Sequence, residues 1–284
     1  MPKFSVVIPA KNEELGLRRL IPELRAVLDE DSEIIVVNDG STDSTSAVCN
    51  ENFVIQIKHP YSKGNGASIK AGARVAQGEY LIFMDGDGQH APEDIKRLIA
   101  RLEEGYDLVI GARTNDSQAS VARRLANGFY NRFASFITGH KIEDLTSGLR
   151  VVNAKKFREF LYILPNGFSY PTTSTMAFYR AGYSVAFESI RARSRQGKSH
   201  INVVRDGLRF LLIIFKVGTL YSPLKVFFPL SLALLAGGLG WYGYTFHSFE
   251  RFTNMSALMI TSSLIVFLMG LISEQITSLL YKDV

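Results

Sequence analysis

Along the first 113 residues, short apolar runs alternate with segments whose apolar residues recur every three or four positions. "FSVVIPA" (4–10), "SEIIVVND" (32–39), "FVIQIKH" (53–59), "YLIFMDGD" (80–87) and "DLVIGAR" (107–113) read as buried strands. Between them, "EELGLRRLIPELRAVLDE", "STDSTSAVCNE", "SIKAGARVAQ" and "PEDIKRLIARLEEG" carry helical spacing, and the last is framed by Pro92 and Gly105. Strand–helix alternation of this kind predicts an α/β fold: a mostly parallel, Rossmann-like sheet with helices on both faces. Ligands of such sheets sit beyond the carboxyl ends of the strands. The polar clusters "PAKNEE", "NDGSTD", "DGDGQH" and "GAR" all fall there and can face one cleft.

The pattern then changes. Residues 116–139 read as a helix with basic and aromatic residues, and "IEDLTSGLRVVNA" as a loop entering a strand. Two helices, the strand "YSVAFESI" and the basic loop "RARSRQGKSH" follow. In "INVVRDGLRFLLIIFK", Asn202, Arg205, Asp206 and Arg209 recur at helical spacing on an otherwise apolar helix, as in a helix lying on a membrane surface. Val226–Phe246 and Met255–Ser273 are 21 and 19 residues without a charge, separated by "HSFERFTN". Roughly 20 apolar residues cross a bilayer as a helix, so these runs predict a transmembrane hairpin. The expected organisation is a globular domain over 1–200, an interfacial helix over 201–222 and a two-helix hairpin over 223–284.

Charge orients the hairpin. Arg191, Arg193, Arg195, Lys198, Arg205, Arg209, Lys216 and Lys225 precede the first span, whereas the loop between the spans carries only Arg251. By the positive-inside rule the domain before the spans is cytoplasmic, at the cytoplasmic or endoplasmic reticulum membrane. Trp241, Tyr242 and Tyr244 cluster toward the far end of the first span, where amphipathic rings favour headgroups. The apolar run at the N-terminus is too short for a signal peptide. The net charge of +5 follows from the membrane-proximal cations rather than from nucleic-acid binding. A single cysteine, Cys49, rules out an internal disulfide.

The candidate chemistry centres on "DGDGQH". Two aspartates one residue apart repel each other unless something positive sits between them. Hard divalent cations take carboxylate oxygens, and Mg²⁺ commonly uses one or two carboxylates plus ligand phosphates. Gly86 and Gly88 let Asp85 and Asp87 turn toward one ion, and Gln89 adds a neutral oxygen. An EF-hand is excluded, since His90 and Lys96 stand where Gly and Glu are required. A phosphatase of the D-x-D type fits poorly at Gln89. By themselves the residues leave a surface turn and a metal–diphosphate site open. "KGNGAS" (63–68) precedes a helix and is either a phosphate cradle or an ordinary glycine-rich helix start. "GKS" at 197–199 lacks the leading glycine of a phosphate loop, having Ala192 instead.

Taken in order, "VIPAKNEE", "VNDGSTD", "KGNGAS", "AGARVAQGEYLIFMDGDGQHAPEDI", "GAR" and "DLTSGLRVV" resemble family 2 glycosyltransferases of the GT-A fold. Within that family the chain is similar to the branch of dolichol-phosphate mannose synthases and bacterial polyprenyl-phosphate sugar transferases, over about residues 4–200. The resemblance implies a nucleotide pocket lined by Pro9, Ala10, Asn12 and Glu13, with Asp39 on the base or ribose and Lys63 at its border. It implies Mg²⁺ or Mn²⁺ held by Asp85, Asp87 and Gln89 against the donor diphosphate, with Asp85, Asp87 and Arg113 as the catalytic set. Arg113, Arg123, Arg193 and Lys198 are the basic residues offered to an acceptor phosphate. The implied reaction is inverting transfer of one hexose from a nucleotide-diphosphate sugar to a polyprenyl phosphate at the membrane. The partners are therefore a nucleotide sugar, a polyprenyl-phosphate lipid and the membrane, with a homo-oligomer left open. A glycan or protein acceptor, or a non-catalytic nucleotide-sugar sensor, are the alternatives. Two departures stand out: Asn38 replaces a frequent acidic residue, and two spans are expected where relatives have none, two or four; the absence of Q-x-x-R-W further argues against a processive polysaccharide synthase.

The orientation is checked by labelling intact cells with an impermeant thiol reagent. Glu250→Cys is expected to react from outside and Asp116→Cys is not; the reverse pattern would invert the topology.

Overall fold

The computed structural model describes residues 2–29, 31–114, 121–167, 169–191, 193, 215–216 and 218–281, with helix backbone alone over 121–127. Two compact units form: residues 1–135 with 140–202, and residues 136–139 with 203–284.

The first unit is built on a seven-stranded sheet. Its strands are β1 (Phe4–Ala10), β2 (Glu33–Asn38), β3 (Ile55–Lys58), β4 (Tyr80–Phe83), β5 (Leu108–Arg113), β6 (Arg150–Asn153) and β7 (Val185–Ile190). The order is β3-β2-β1-β4-β6-β5-β7. All neighbours run parallel except β6, which lies antiparallel between β4 and β5. The helices are α1 (Glu14–Val27), α2 (Thr45–Glu51), α3 (Asn65–Val75), α4 (Glu93–Glu103), α5 (Val121–Thr138), α6 (Ala154–Arg158) and α7 (Tyr170–Arg180).

The strands are apolar on both faces because both are covered. Val6 and Ile8 join Leu17, Leu20, Ile21 and Leu24 of α1 and Ile95, Leu98 and Leu102 of α4 in one core. On the opposite face Gly72 of α3 lies so close to Val7 and Val37 that a side chain there would collide with Val7. Phe83 stacks on Phe157 of α6 at 4.6 Å and meets Tyr170 of α7 edge-on at 6.0 Å. The strand predictions hold for all seven elements. What alternation along the chain does not reveal is the antiparallel insertion of β6, which places the residues after "DLTSG" between the two strands that carry Asp85 and Arg113.

The second unit contains α8 (Pro223–Phe249) and α9 (Asn254–Leu280), both long and apolar enough to cross a membrane. Both exceed the charge-free runs, since helix continues through Lys225 at the start of α8 and through Glu274 toward the end of α9. Their mutual face is made of small residues at seven-residue intervals. Ser231, Gly238 and Thr245 on α8, and Ser256, Ser263, Gly270 and Thr277 on α9, are buried while most of the large apolar side chains are exposed. This is how helices pack when lipid removes the hydrophobic drive between them. Ser231 Oγ donates to the Ser263 carbonyl at 3.0 Å, and Thr277 Oγ1 to the Thr219 carbonyl at 3.0 Å. Glu274 faces the neighbouring helix and accepts the Leu224 N–H at 3.2 Å, satisfying one of the open donors at the start of α8. The predicted interfacial helix lies largely outside the described residues, which leave out 201–214 and 217.

A Cβ on Gly270 would sit 2.7 Å from Phe227 Cβ, and one on Gly238 would sit 2.9 Å from Ile260. Gly238→Leu or Gly270→Leu is therefore expected to destabilise the hairpin by about 1–3 kcal/mol. Thermal unfolding in detergent reads this as a lower midpoint, whereas Leu239→Ala, on an exposed position, should change it little.

Candidate functional site

At the carboxyl end of the sheet, the loops after β1, β2 and β3 are stitched to one another beside the end of β4. The Asn12 N–H donates to Ser41 Oγ at 2.9 Å, Glu13 N–H to Thr45 Oγ1 at 3.2 Å and Glu14 N–H to Asp43 Oδ2 at 3.1 Å. Asn12 Oδ1 in turn accepts the Thr42 N–H at 2.8 Å, with Asn12 itself in the left-handed region at φ 56°. "PAKNEE" and "NDGSTD" thus form one interlocked rim. The third loop is tied in by Asp39, whose side chain is almost fully buried. Its oxygens accept from His59 Nδ1 (2.8 Å), Ser62 Oγ (2.8 Å), Lys63 N–H (2.8 Å) and Gly64 N–H (2.9 Å). Burial alone would raise the Asp39 carboxyl, but the His59, Lys63, Gly64 and Ser62 donors bring it down to about 2.

Between these loops lies a cleft of about 410 Å³. Pro9, Ala10, Glu13, Asp39, Asp85 and Asp87 line it, joined by Asn65 and Ser68 of the α3 N-terminus. Six of the sequence-predicted residues are thereby brought together. Asn12 and Lys63 support the cleft rather than line it: Asn12 locks the rim, and Lys63 gives its N–H to Asp39 while its ammonium lies 5.8 Å from the centroid of the Tyr61 ring. Gln89 does not line the cleft; its backbone N–H donates to Asp87 Oδ1 at 3.1 Å and its carbonyl accepts the Arg193 N–H at 2.8 Å.

Asp85 occupies the crowded end. Its carboxylate rests against Gly148, where any Cβ would collide with Oδ2. His90, 4% exposed, places Nε2 3.9 Å from Asp85 Oδ2, and its Nδ1 is buried without a partner among the described residues. Burial raises the Asp85 carboxyl, Asp87 pushes the same way, and His90, Arg113 and Asn65 oppose it. Burial likewise lowers His90, against the pull of Asp85 and Asp87. Negative charge at Asp85 is held at a cost that a cation would remove. No cluster of three or more His, Cys, Asp or Glu able to hold a metal occurs among the described residues. Two carboxylates in an open cleft fit a hard divalent ion whose remaining ligands are phosphate oxygens or water.

Arg113, at the end of β5, is not a free cation. Nε donates to Asp144 Oδ2 at 2.7 Å, Nη2 to Asp144 Oδ1 at 3.0 Å and to Thr146 Oγ1 at 2.7 Å. Burial works against its charge, but the Asp144 carboxylate, and then Asp85, more than compensate. Asp144 is held below the ordinary carboxylate range despite its burial. The fork leaves the Nη1 edge of Arg113 without a hydrogen bond among the described residues. Arg193 is spoken for differently: Nη1 pairs with Glu23 at 2.9 Å, Nη2 lies 3.7 Å from Glu93, and the residue borders a second cleft beside the start of α1. Arg123 stands in the first turn of α5, with its side chain outside the described set, and Lys198 lies outside the described residues. Sequence reasoning assigned no role to Asp144, Gly148, Arg150 or His90, whereas Asn65 belongs to the "GNG" turn expected at the border of the nucleotide pocket. "DLTSGLR" held the signal for three of them, as a polar turn ahead of a strand with an arginine in it.

Comparisons with known proteins follow this geometry. Residues 5–161 match the model of Glycosyl transferase family 2, and residues 222–279 that of the GtrB C-terminal hairpin. Undecaprenyl-phosphate 4-deoxy-4-formamido-L-arabinose transferase of Proteus mirabilis is 37% identical over 157 residues, covering 52% of this chain and 48% of that protein. This chain thus spans about half the length of that relative. Glycosyltransferase AglJ of Haloferax volcanii is 26% identical over 290 residues, covering 96% of this chain and 93% of its own. Among solved structures, glucosyl-3-phosphoglycerate synthase from Mycobacterium tuberculosis, in complex with Mn²⁺, UDP and glucosyl-3-phosphoglycerate, shares the fold. It superposes with a TM-score of 0.59 at 21% identity, over 76% of this chain and 79% of that one.

The Asp39 clamp makes stability depend on pH. Its folded value near 2 lies below the unfolded value near 3.8, so its contribution is complete above about pH 4 and is lost as pH falls toward 2. The shift corresponds to about 2 kcal/mol. Asp39→Asn is expected to lower stability at pH 7 by that order and to flatten the loss of stability between pH 5 and 2, measured by unfolding at each pH.

Proposed function

The chain belongs to glycosyl transferase family 2, and from that premise we propose that it transfers a single hexose, with inversion, from a nucleotide-diphosphate sugar to a polyprenyl phosphate. The observation that carries this reading is the convergence of Asp85 and Asp87 with the Pro9, Glu13 and Asn65 loops on one cleft. A strand-end carboxylate pair in such a cleft is suited to a nucleotide diphosphate rather than to a surface turn. The hairpin of α8 and α9 supports a lipid acceptor, as do the relatives named for undecaprenyl phosphate. A polyprenyl phosphate stays at the membrane, so the enzyme must remain there too.

In this reading the nucleotide lies against Pro9, Ala10 and Glu13, and its diphosphate meets the N–H groups at the start of α3. Asp85 and Asp87, with the side-chain oxygen of Gln89, would hold Mg²⁺ or Mn²⁺. When bound, that ion neutralises the charge growing on the departing diphosphate. Asp85, resting on Gly148, keeps its carboxylate at the sugar end of the cleft. The acceptor phosphate is an anion at neutral pH, so its oxygen attacks the anomeric carbon without a strong protein base. The open Nη1 edge of Arg113 offers that phosphate a donor while Asp144 keeps the guanidinium plane fixed. Inversion follows from attack on the face opposite the leaving diphosphate. The positive-inside pattern supports a cytoplasmic side for the reaction.

The test uses purified full-length protein in detergent with labelled UDP- and GDP-hexoses, undecaprenyl or dolichyl phosphate, and Mg²⁺ or Mn²⁺. A lipid-linked sugar is expected, with Asp87→Asn lowering turnover about 100-fold or more. If sugar passes instead to a soluble acceptor, the lipid part of the reading is wrong. If nucleotide binds but no sugar moves with any donor, the chain is a sensor.

A further inference from the structure

Among the described residues Arg150 is the bulkiest fully buried side chain, 1% exposed, and no carboxylate there hydrogen-bonds to it. Its register explains its importance. As the first residue of β6 it lies opposite Phe83 of β4 and Ile110 of β5, on the two strands that lead to Asp85 and Arg113. Its donors divide between two segments. Nε donates to the Ser147 carbonyl at 2.8 Å and Nη2 to the Leu145 carbonyl at 3.2 Å. Nη1 donates to the Pro171 carbonyl (2.7 Å), Ser174 Oγ (3.0 Å) and Thr175 Oγ1 (2.8 Å), all in the first two turns of α7.

A guanidinium buried without an ion-pair partner is costly, and an apolar side chain of similar volume commonly stabilises such a position better. Burial lowers Arg150 only to about 10, so the charge persists at pH 7. Stability therefore does not account for it. The segment it holds does: residues 144–148 carry both Asp144, which forks Arg113, and Gly148, against which Asp85 packs. The Tyr170 hydroxyl adds a bond to the Gly148 carbonyl at 3.4 Å.

We propose that Arg150 is a positioning residue that anchors loop 144–148 to α7 and so sets Arg113 and Asp85 in register with each other. It touches neither group itself. The proposal rests on the glycosyltransfer reading above, with donor chemistry at Asp85 and acceptor chemistry at Arg113.

Arg150→Met, Asp144→Asn and the double variant test it in the full-length protein. UDP and GDP binding is measured by calorimetry with and without Mn²⁺, beside turnover and thermal midpoint. The metal-free nucleotide affinity of Arg150→Met should stay within about twofold of wild type, because Pro9, Glu13 and Asn65 lie outside the anchored loop. The enhancement of binding by Mn²⁺ should shrink by about tenfold, and turnover should fall by about 100-fold, as misplacement of a reacting group by about 1 Å costs. If both residues act through one loop, the double variant is no slower than the worse single one. Multiplicative losses, wild-type turnover in a folded Arg150→Met, or parallel loss of metal-free binding and turnover would overturn the proposal.

Should Arg150→Met not fold, Ser174→Ala with Thr175→Val keeps the guanidinium and removes two of its acceptors. A loss of turnover of about fivefold or more, not multiplying with Asp144→Asn, is then expected; unchanged or multiplying turnover refutes the idea. A wild-type chain that binds UDP or GDP but transfers no sugar removes the proposed activity alone, since the Mn²⁺ enhancement still reads Arg150. Failure to bind either nucleotide removes both.

Discussion

Negative charge gathered at the end of one buried strand is the constraint that the first unit answers to. Asp85, Asp87 and Asp144 lie close enough to influence one another's surroundings, and each loses water on folding. Asp144 is compensated within the chain by the Arg113 fork, in which geometry and charge coincide. Asp85 is compensated only in part, by His90, by Arg113 and by a hydrogen bond from Asn65. The incomplete balance is what gives the cleft its appetite for a cation, and a nucleotide diphosphate is a ligand that arrives with one.

The architecture behind the charges is a set of cross-ties that keep loops from relaxing away from one another. Asp39 draws "KGNG" to the end of β2 through four hydrogen bonds, so that α3 starts at the cleft. Asp43 and Ser41 bind the "NDGSTD" loop to the entrance of α1. Arg150 does the same for the loop ahead of β6. Asp39 and Arg150 are buried and saturated by backbone and side-chain partners, which makes them rigid rather than reactive. The hairpin obeys another rule: its seam uses Ser, Gly and Thr every seventh residue, and its bulky apolar side chains face outward.

Much of this was legible along the chain. Alternation of strand and helix patterns located every strand of the sheet, and the spans emerged from charge-free length alone. The "DGDG" turn, the "NDGSTD" and "PAKNEE" loops and their place at strand ends led to the cleft. The roles of individual residues were less legible. Asp39, expected on the base or ribose, spends both oxygens on the chain, because the donors it meets come from residues 59–64. Arg113, expected as an open phosphate ligand, is shared with Asp144, 31 residues away.

The sequence by itself determined the element types, the parallel half of the sheet, the hairpin and the carboxylate pair, because each rests on periodicity or spacing within a few residues. Only the tertiary structure decided that β6 enters antiparallel between β4 and β5. That one placement brings Gly148 under Asp85, Asp144 onto Arg113 and Arg150 beneath both. Pairing between residues 40 to 73 positions apart depends on how whole faces bury against each other. No local pattern encodes it.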